Sequence, residues 1–96
     1  MIYVFDLDGT LCDSEAGQYG DAKPNEQRVE QVRALQKDGA TIVISTARGK
    51  VWEDFTRRQL LEWRVPYSVL SVGDKPYGDL YIDDRGINAL DFFGEK

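Results

Sequence analysis

A short apolar segment that runs directly into two aspartates is the feature that most constrains the fold of this chain. Residues 2–5 are all β-branched or aromatic, which predicts a central parallel strand covered on both faces. Asp6 and Asp8 follow at once, with a single leucine between them. Because two carboxylates at the end of a buried strand are costly without a cation beside them, the sequence indicates a metal or phosphate site there.

The remaining chain alternates between helical and strand-like patterns. Apolar residues recur at helical spacing in a segment that begins after Asn25, a favourable N-cap, and stops at Asp38 and Gly39. A second amphipathic helix is predicted over residues 51–64, and a short closing helix over residues 87–93. Three further strands are predicted over residues 40–45, 67–72 and 79–83, and a loop over residues 17–25. This order of elements predicts an open, mainly parallel α/β sheet.

The amino-acid composition excludes several kinds of site and of catalytic chemistry. With 96 residues, 42% of them hydrophobic and 30% charged, the chain is expected to fold as a single domain over residues 1–96. It contains no histidine and a single cysteine, Cys12, which excludes histidine-based acid–base catalysis, histidine-bound zinc and an internal disulfide. Any chemistry must therefore use carboxylates, hydroxyls and amines.

Charge and hydropathy indicate where the protein works and what it binds. The net charge of −5 argues against a general nucleic-acid binder. No apolar run approaches the roughly 20 residues that span a bilayer, and the N-terminus does not resemble a signal peptide. We therefore expect a cytoplasmic protein without a membrane partner.

Polar side chains of catalytic type follow the predicted strands. They are Asp6 and Asp8 after the first strand, Thr46 and Arg48 after the second, Asp83 and Asp84 after the last, and Lys75 in the loop before it. In open α/β sheets, ligands bind beyond the carboxyl ends of the strands. The sequence therefore predicts one site at this edge, and Tyr19 and Tyr77, which lie in loops, are candidates for its entrance.

The paired aspartates suit phosphoryl transfer. Residues i and i+2 of an extended segment project to one side, so Asp6 and Asp8 can face one cavity while Leu7 turns towards the core. We assign Asp6 as a nucleophile that forms an aspartyl-phosphate. Asp8 is the group that protonates the leaving oxygen and then activates water. Gly9 permits a positive φ or a close backbone approach that brings amides near the phosphate.

The other polar residues complete this chemistry. The Thr46 hydroxyl and the Lys75 ammonium suit the charge on a transferring phosphoryl group. Asp83 would complete an oxygen-ligand site for Mg²⁺, with Asp84 binding the ion directly or through water. This acidic pair is also compatible with a structural ion network that includes Arg48.

Four motifs in this order resemble those of the haloacid dehalogenase-like phosphohydrolase superfamily. They are “DLDGT”, “ISTAR”, a loop lysine and “IDD”, each at a strand end. The resemblance implies a three-layer, Rossmann-like core and chemistry that depends on Mg²⁺. By motif, Asp6 matches the nucleophile and a Mg²⁺ ligand, and Asp8 matches the acid–base group, with its backbone carbonyl also on the metal. The second aspartate implies phosphate rather than carbon–halogen chemistry.

The resemblance also assigns the remaining site residues. Thr46 and Lys75 match the phosphoryl-binding positions, and Asp83 and Asp84 match the metal-binding acidic pair. Four residues that adjoin these motifs are expected to contact the substrate, namely Gly9, Thr10, Ala47 and Arg48.

A closer resemblance covers residues 17–49 and 65–86, which are similar to small phosphatases associated with capsule polysaccharide biosynthesis. Superfamily members often carry a cap domain, and the intervals between the motifs leave no room for one here. An open site favours either a bulky or polymeric substrate or closure by a neighbouring subunit of a homo-oligomer. The sequence does not choose between these two.

Three functions follow from the sequence. The first is a Mg²⁺-dependent phosphomonoester hydrolase acting on a small phosphorylated substrate, foremost a sugar phosphate. The second keeps this chemistry but acts on nucleotides or nucleic-acid ends, which the acidic charge disfavours. The third is a non-enzymatic, phospho-accepting module. Receiver domains of that kind open with the acidic pair and need no acid–base group two residues beyond the acceptor, so the chain order and Asp8 favour turnover.

Overall fold

The computed structural model of the protein describes residues 1–15, 18–73, 76–83 and 89–95. Its strands are β1 (Ile2–Asp6), β2 (Cys12–Asp13), β3 (Lys23–Pro24), β4 (Thr41–Thr46), β5 (Val69–Val72) and β6 (Leu80–Ile82). Its helices are α1 (Glu26–Lys37), α2 (Glu53–Glu62) and α3 (Ala89–Phe93), with short 3₁₀ turns at Tyr19–Asp21 and Lys50–Trp52.

Four strands form a parallel sheet in the order β5-β4-β1-β6. Val4 and Phe5 are both buried although they point to opposite faces of β1, and Ile42, Val43 and Ile44 are consecutively buried in β4. Only a strand covered on both faces buries successive residues in this way. The prediction of a Rossmann-like, mainly parallel α/β fold is confirmed.

The helices bury their apolar stripes against this sheet. Val29 and Val32 of α1, Leu60 of α2 and Phe93 of α3 all belong to the core. The Phe92 and Phe93 rings of α3 contact the Phe5 ring, with centroids 5.7 and 6.0 Å away. Helix α3 therefore covers the face of β1 on which Phe5 lies.

The N-terminus of α1 agrees with the sequence prediction, whereas the bounds of α2 differ from it. The Asn25 side chain caps α1 as predicted, accepting a hydrogen bond from the backbone amide of Arg28 at 3.1 Å. Helix α2 is shorter than the predicted 51–64. A 3₁₀ turn precedes it, in which the Trp52 amide donates to the carbonyl of Gly49, and Arg64 beyond it has a positive φ of 54°.

Part of the loop predicted over residues 17–25 forms regular structure: β3 pairs with β2 in a small antiparallel ribbon, and a 3₁₀ turn covers Tyr19–Asp21. Cys12 of β2 pairs with Pro24 of β3, and the Asn25 amide donates to the carbonyl of Leu11 at 2.8 Å. Two-residue strands are too short to show an alternating pattern, which is why the sequence indicates only a loop there. The ribbon stands directly after β1 and so next to the candidate site.

In the two intervals where a cap domain would be inserted, the described residues form only the ribbon, 3₁₀ turns, helix α2 and strand β5. Strand β6 is one residue shorter at each end than the predicted 79–83. Just before it begins, the Asp79 carboxylate accepts from the Ile2 amide, and the Asp79 amide donates to the Ile2 carbonyl. Within the described ranges, no helix is long and apolar enough to cross a membrane.

Candidate active site

Strand register brings predicted site residues to one edge of the sheet. Asp6 is the last residue of β1 and pairs with Ser45 of β4, so Thr46 lies beside it at the end of the neighbouring strand. On the other side of β1, Phe5 pairs with Ile82, which places Asp83 just beyond β6 at the same level. Parallel strands thus deliver Asp6, Thr46 and Asp83 to one place.

The “DLDGT” segment is a tight turn anchored on one carbonyl. The backbone amides of Thr10, Leu11 and Cys12 all donate to the carbonyl of Leu7, at 2.9–3.2 Å. Gly9 has a φ of 85°, in the left-handed region that glycine adopts without strain, as its place in the turn predicts. Asp6 is oriented by this turn, because its Oδ1 accepts from the Leu7 amide at 3.0 Å.

Gly9 and Thr10, both predicted to contact the substrate, form hydrogen bonds within the turn. The Gly9 amide donates to the carbonyl of Cys12, and Thr10 is buried with its amide on Leu7. The Thr10 carbonyl accepts from Nη1 of Arg28 at 2.9 Å. Arg28 in turn forms an ion pair with the Glu95 carboxylate. The hydrogen bonds from Arg28 lower the pKa of Glu95. A side chain of α1 therefore holds the turn in place.

Asp8 forms a bidentate ion pair with Arg48. Nε of Arg48 donates to Oδ2 at 3.0 Å and Nη2 donates to Oδ1 at 2.9 Å. The Ser14 hydroxyl also donates to Oδ1, and the Cys12 thiol donates to the same oxygen at 3.4 Å. The Arg48 side chain is 0% exposed and that of Asp8 26%, so the pair sits at the boundary between core and solvent. Two parallel hydrogen bonds give this pair a defined orientation.

These contacts determine the protonation of the site. Burial disfavours the charged form of Asp8, but the Arg48 and Ser14 hydrogen bonds and the Arg48 charge outweigh it and lower the pKa of the carboxyl. Burial first, and then the neighbouring Asp8 charge, raises the pKa of the Cys12 thiol to about 12. At neutral pH, Asp8 is therefore ionised and Cys12 is a neutral thiol, which makes Cys12 a poor nucleophile.

Arg48 is directed at protein groups rather than at solvent. Its Nη1 donates to the Thr56 hydroxyl at 3.2 Å and to Oε1 of Gln59 at 2.7 Å. Its Cζ lies 4.4 Å from the centroid of the Tyr19 ring. Arg48 is predicted to contact the substrate; in the structure it is buried and connects Asp8 to helix α2.

Thr46 and Ala47 complete the edge at β4. The Thr46 side chain is buried, and its hydroxyl accepts from the Arg48 backbone amide at 3.1 Å. An accepted bond leaves the hydroxyl proton for donation, which suits a phosphoryl oxygen. Gly49 stands at the N-terminus of the 3₁₀ turn that leads to α2, so Thr46 does not cap that segment. Ala47 is exposed.

Two predicted site residues, Lys75 and Asp84, lie outside the described residues. Their roles stay predictions. Within the described part, no cluster of three or more possible metal-binding side chains is present. Asp6 ends β1 and Asp83 follows the neighbouring strand β6, and a carboxylate pair supplemented by a backbone carbonyl and water is the donor set that Mg²⁺ accepts. The residues present therefore fit this ion.

Ser14, Thr56 and Gln59 contact Asp8 or Arg48 but are not predicted from the sequence. Ser14 follows β2 and belongs to none of the four sequence motifs. Thr56 and Gln59 are three positions apart on α2 and adjoin the buried Leu60, so they lie in the apolar stripe of this helix. Polar residues at buried helical positions are the signal that could have identified them, because such groups need buried partners.

The fold and the acidic residues at the carboxyl edge of its sheet define an α/β protein with a candidate site at that edge. Residues 3–60 match the family described as haloacid dehalogenase-like hydrolase. This match covers more than half of the chain, and the chain belongs to that family of hydrolases. A search of proteins with curated function found no match.

Solved structures agree with this assignment. A crystal structure of a protein from Vibrio cholerae is 33% identical, with a TM-score of 0.74 over 100% of this chain and 90% of that one. Two chains from structures of the Pnkp1/Rnl/Hen1 complex, one titled an RNA repair complex, are 19% and 20% identical, with TM-scores of 0.68 and 0.69. They match 77% and 99% of this chain but only 26% and 34% of their own length, and they show the fold alone.

Proposed function

We propose that the protein is a Mg²⁺-dependent phosphomonoester hydrolase that works through an aspartyl-phosphate on Asp6. The observation that carries this proposal is the geometry at the end of β1. One turn presents Asp6 at the sheet edge and holds Asp8 in a bidentate pair with Arg48. A nucleophile and an acid–base group on one turn are what two-step phosphoryl transfer needs.

In the first step, a carboxylate oxygen of Asp6 attacks phosphorus, and the bond from phosphorus to the ester oxygen breaks. Asp8 in its acid form transfers a proton to that leaving oxygen. In the second step, the Asp8 carboxylate takes a proton from water, whose oxygen attacks the same phosphorus. The bond to Asp6 then breaks, which releases inorganic phosphate and restores both side chains.

Asp8 must change protonation during this cycle. The resting structure favours the ionised form, which is the base of the second step. A phosphate dianion bound beside Asp8 opposes the charge of Arg48 and disfavours a second negative charge, so substrate binding raises the pKa of this carboxyl. Two charge states of one residue thus match the two steps.

Other side chains would hold the phosphoryl group and the ion. The Thr46 hydroxyl and the predicted Lys75 ammonium would bind phosphoryl oxygens. Asp6, Asp83 and the Asp8 carbonyl, with the predicted Asp84, would hold Mg²⁺, which supplies positive charge against the phosphoryl oxygens when bound.

The expected lack of a cap domain and the resemblance to capsule-associated phosphatases support a substrate class. A sugar phosphate or a related small phosphometabolite is the first candidate. Nucleotides and nucleic-acid ends are the second, disfavoured by the net charge of −5. A homo-oligomer that covers the open edge stays a prediction, which sedimentation of the purified protein checks.

Phosphate release from sugar phosphates, nucleotides, polynucleotide ends and para-nitrophenyl phosphate tests the proposal, with Mg²⁺ or with a chelator. We expect release to need Mg²⁺ and to fall by about a thousand-fold or more in Asp6→Asn. Asp54→Asn is the matched control, because Asp54 is an exposed aspartate on α2, and it should retain the wild-type rate. Equal release by wild type and Asp6→Asn would rule the proposal out and favour a binding module.

A further inference from the structure

A glutamine of helix α2 connects the ion pair of the site to the segment after the ribbon strand β2. Oε1 of Gln59 accepts from Nη1 of Arg48 at 2.7 Å, and its Nε2 donates to the Tyr19 carbonyl at 2.6 Å. Arginine can only donate and a backbone carbonyl can only accept, so the two partners determine the orientation of the amide. Gln59 is 7% exposed, which makes both bonds costly to lose.

Tyr19 holds the same guanidinium from another direction. Its ring covers Arg48, with the Arg48 Cζ 4.4 Å from the ring centroid. The Trp52 ring packs edge-on against Tyr19 at 5.1 Å between centroids, which supports the ring from the start of α2. An aromatic face at this distance attracts a cation and limits its tilt. Arg48 is thus restrained by Asp8, by Gln59 and by the ring of Tyr19.

We propose that Gln59 and Tyr19 are positioning residues of the active site, which fix the Arg48 guanidinium and through it the orientation of the Asp8 carboxylate. The effect on catalysis rests on the proposed function; the effect on Arg48 does not. A planar guanidinium bound through two parallel hydrogen bonds transmits its own orientation to the carboxylate. Proton transfer to a leaving oxygen is sensitive to such orientation.

The chemistry of the leaving group separates this role from a purely structural one. Phenol, like a tyrosine side chain, has a pKa of about 10, so phenyl phosphate needs a proton from Asp8 as its bond breaks. The leaving group of para-nitrophenyl phosphate is much less basic and needs that proton far less. A misplaced Asp8 should therefore lower kcat for phenyl phosphate more than for para-nitrophenyl phosphate.

Two variants remove the contacts and one retains them. Gln59→Leu keeps a similar side-chain size but loses both hydrogen bonds, and Tyr19→Leu removes the aromatic face. Tyr19→Phe keeps the ring and the carbonyl, which are the groups that contact Arg48 and Gln59. It should therefore retain the wild-type kcat ratio and the wild-type rotation of the Arg48 side chain. Gln27→Leu, at an exposed position of α1, is the matched control for a glutamine-to-leucine change.

We expect the ratio of kcat for phenyl phosphate to kcat for para-nitrophenyl phosphate to fall about ten-fold in Gln59→Leu and Tyr19→Leu. It should stay at the wild-type value in Tyr19→Phe and Gln27→Leu. An equal fall for both substrates would overturn the catalytic part of the proposal. Asp6→Asn in the same assay reports separately on the proposed function.

A second measurement does not depend on activity. Nitrogen-15 NMR of the Arg48 side chain reports rotation about the Nε–Cζ bond, which should be slow in the wild type and in Tyr19→Phe. Loss of either contact should accelerate this rotation at least about ten-fold, since each removed restraint lowers the barrier. Unchanged rotation in both Gln59→Leu and Tyr19→Leu would overturn the proposal even if phosphate release were altered.

Discussion

Replacement of Arg48 by methionine should destabilise the protein more than replacement of any surface arginine. Methionine retains most of the buried aliphatic stem but leaves Asp8 without its ion-pair partner, and Thr56 and Gln59 without a donor. Removing one partner of a buried ion pair costs about 3–5 kcal/mol. Asp8 is 26% exposed, so water replaces part of the lost interaction, and we expect the lower end, about 3 kcal/mol.

Arg57→Met is the matched control, because Arg57 forms an exposed pair with Glu53 one helical turn away at 3.3 Å. Such pairs contribute about 0.3–0.5 kcal/mol. In a chain of this size, 1 kcal/mol shifts Tm by about 4–8 °C. Thermal unfolding followed by circular dichroism at neutral pH should therefore show a fall of about 12–24 °C for Arg48→Met and at most about 4 °C for Arg57→Met.

The difference in Tm between wild type and Arg48→Met should become smaller as the pH falls. The folded-state pKa of Asp8 is lowered from 3.8, so its ionised form stabilises the folded protein above pH 3.8. This contribution is lost as the pH falls through the folded-state pKa. The difference in Tm between wild type and Arg48→Met should therefore be largest at neutral pH and smaller at acid pH. Equal Tm values for the two arginine variants, or a gap that does not narrow, would refute the reasoning.

Two further predictions concern packing and reactivity. Gly78→Ala should lower the free energy of unfolding by about 1–3 kcal/mol, measured by urea denaturation, because a Cβ there would overlap the Cγ2 atom of Val4 in the central strand; an unchanged midpoint would contradict the tight approach. Cys12, buried and with its pKa raised to about 12, should react with iodoacetamide at pH 8 at least about 100-fold more slowly in the folded protein than in urea, as mass spectrometry will show. Comparable rates in the two states would mean that Cys12 is more exposed and more acidic than its contacts imply.

The fold could be predicted because buried parallel strands have a strong local signature. An uninterrupted apolar run such as 2–5 identifies a strand covered on both faces, whatever its neighbours are. Asn25 and the apolar spacing after it identify α1 in the same way. The ribbon of β2 and β3 escaped prediction, since strands of two residues depend on a partner more than on their own sequence.

Part of the candidate site was also accessible from the sequence. Asp6 and Thr46 end two strands that pair in parallel, and the carboxyl ends of parallel strands meet at one edge of the sheet. The turn at Gly9 follows from a residue that alone adopts a positive φ without strain. The roles of Lys75 and Asp84 stay predictions from motif order.

The sequence by itself determined which residue types stand at the ends of the strands and what chemistry they permit. Only the tertiary structure decided that Arg48, and not another cation of the chain, pairs with Asp8. It also decided that Gln59 and Tyr19 surround that pair. Local preferences act over a few residues, whereas contacts between residues 40 apart form only in the folded chain. The pairing of β1 with β4 brings Asp8 to Arg48, and the packing of α2 brings Gln59 to both Arg48 and Tyr19.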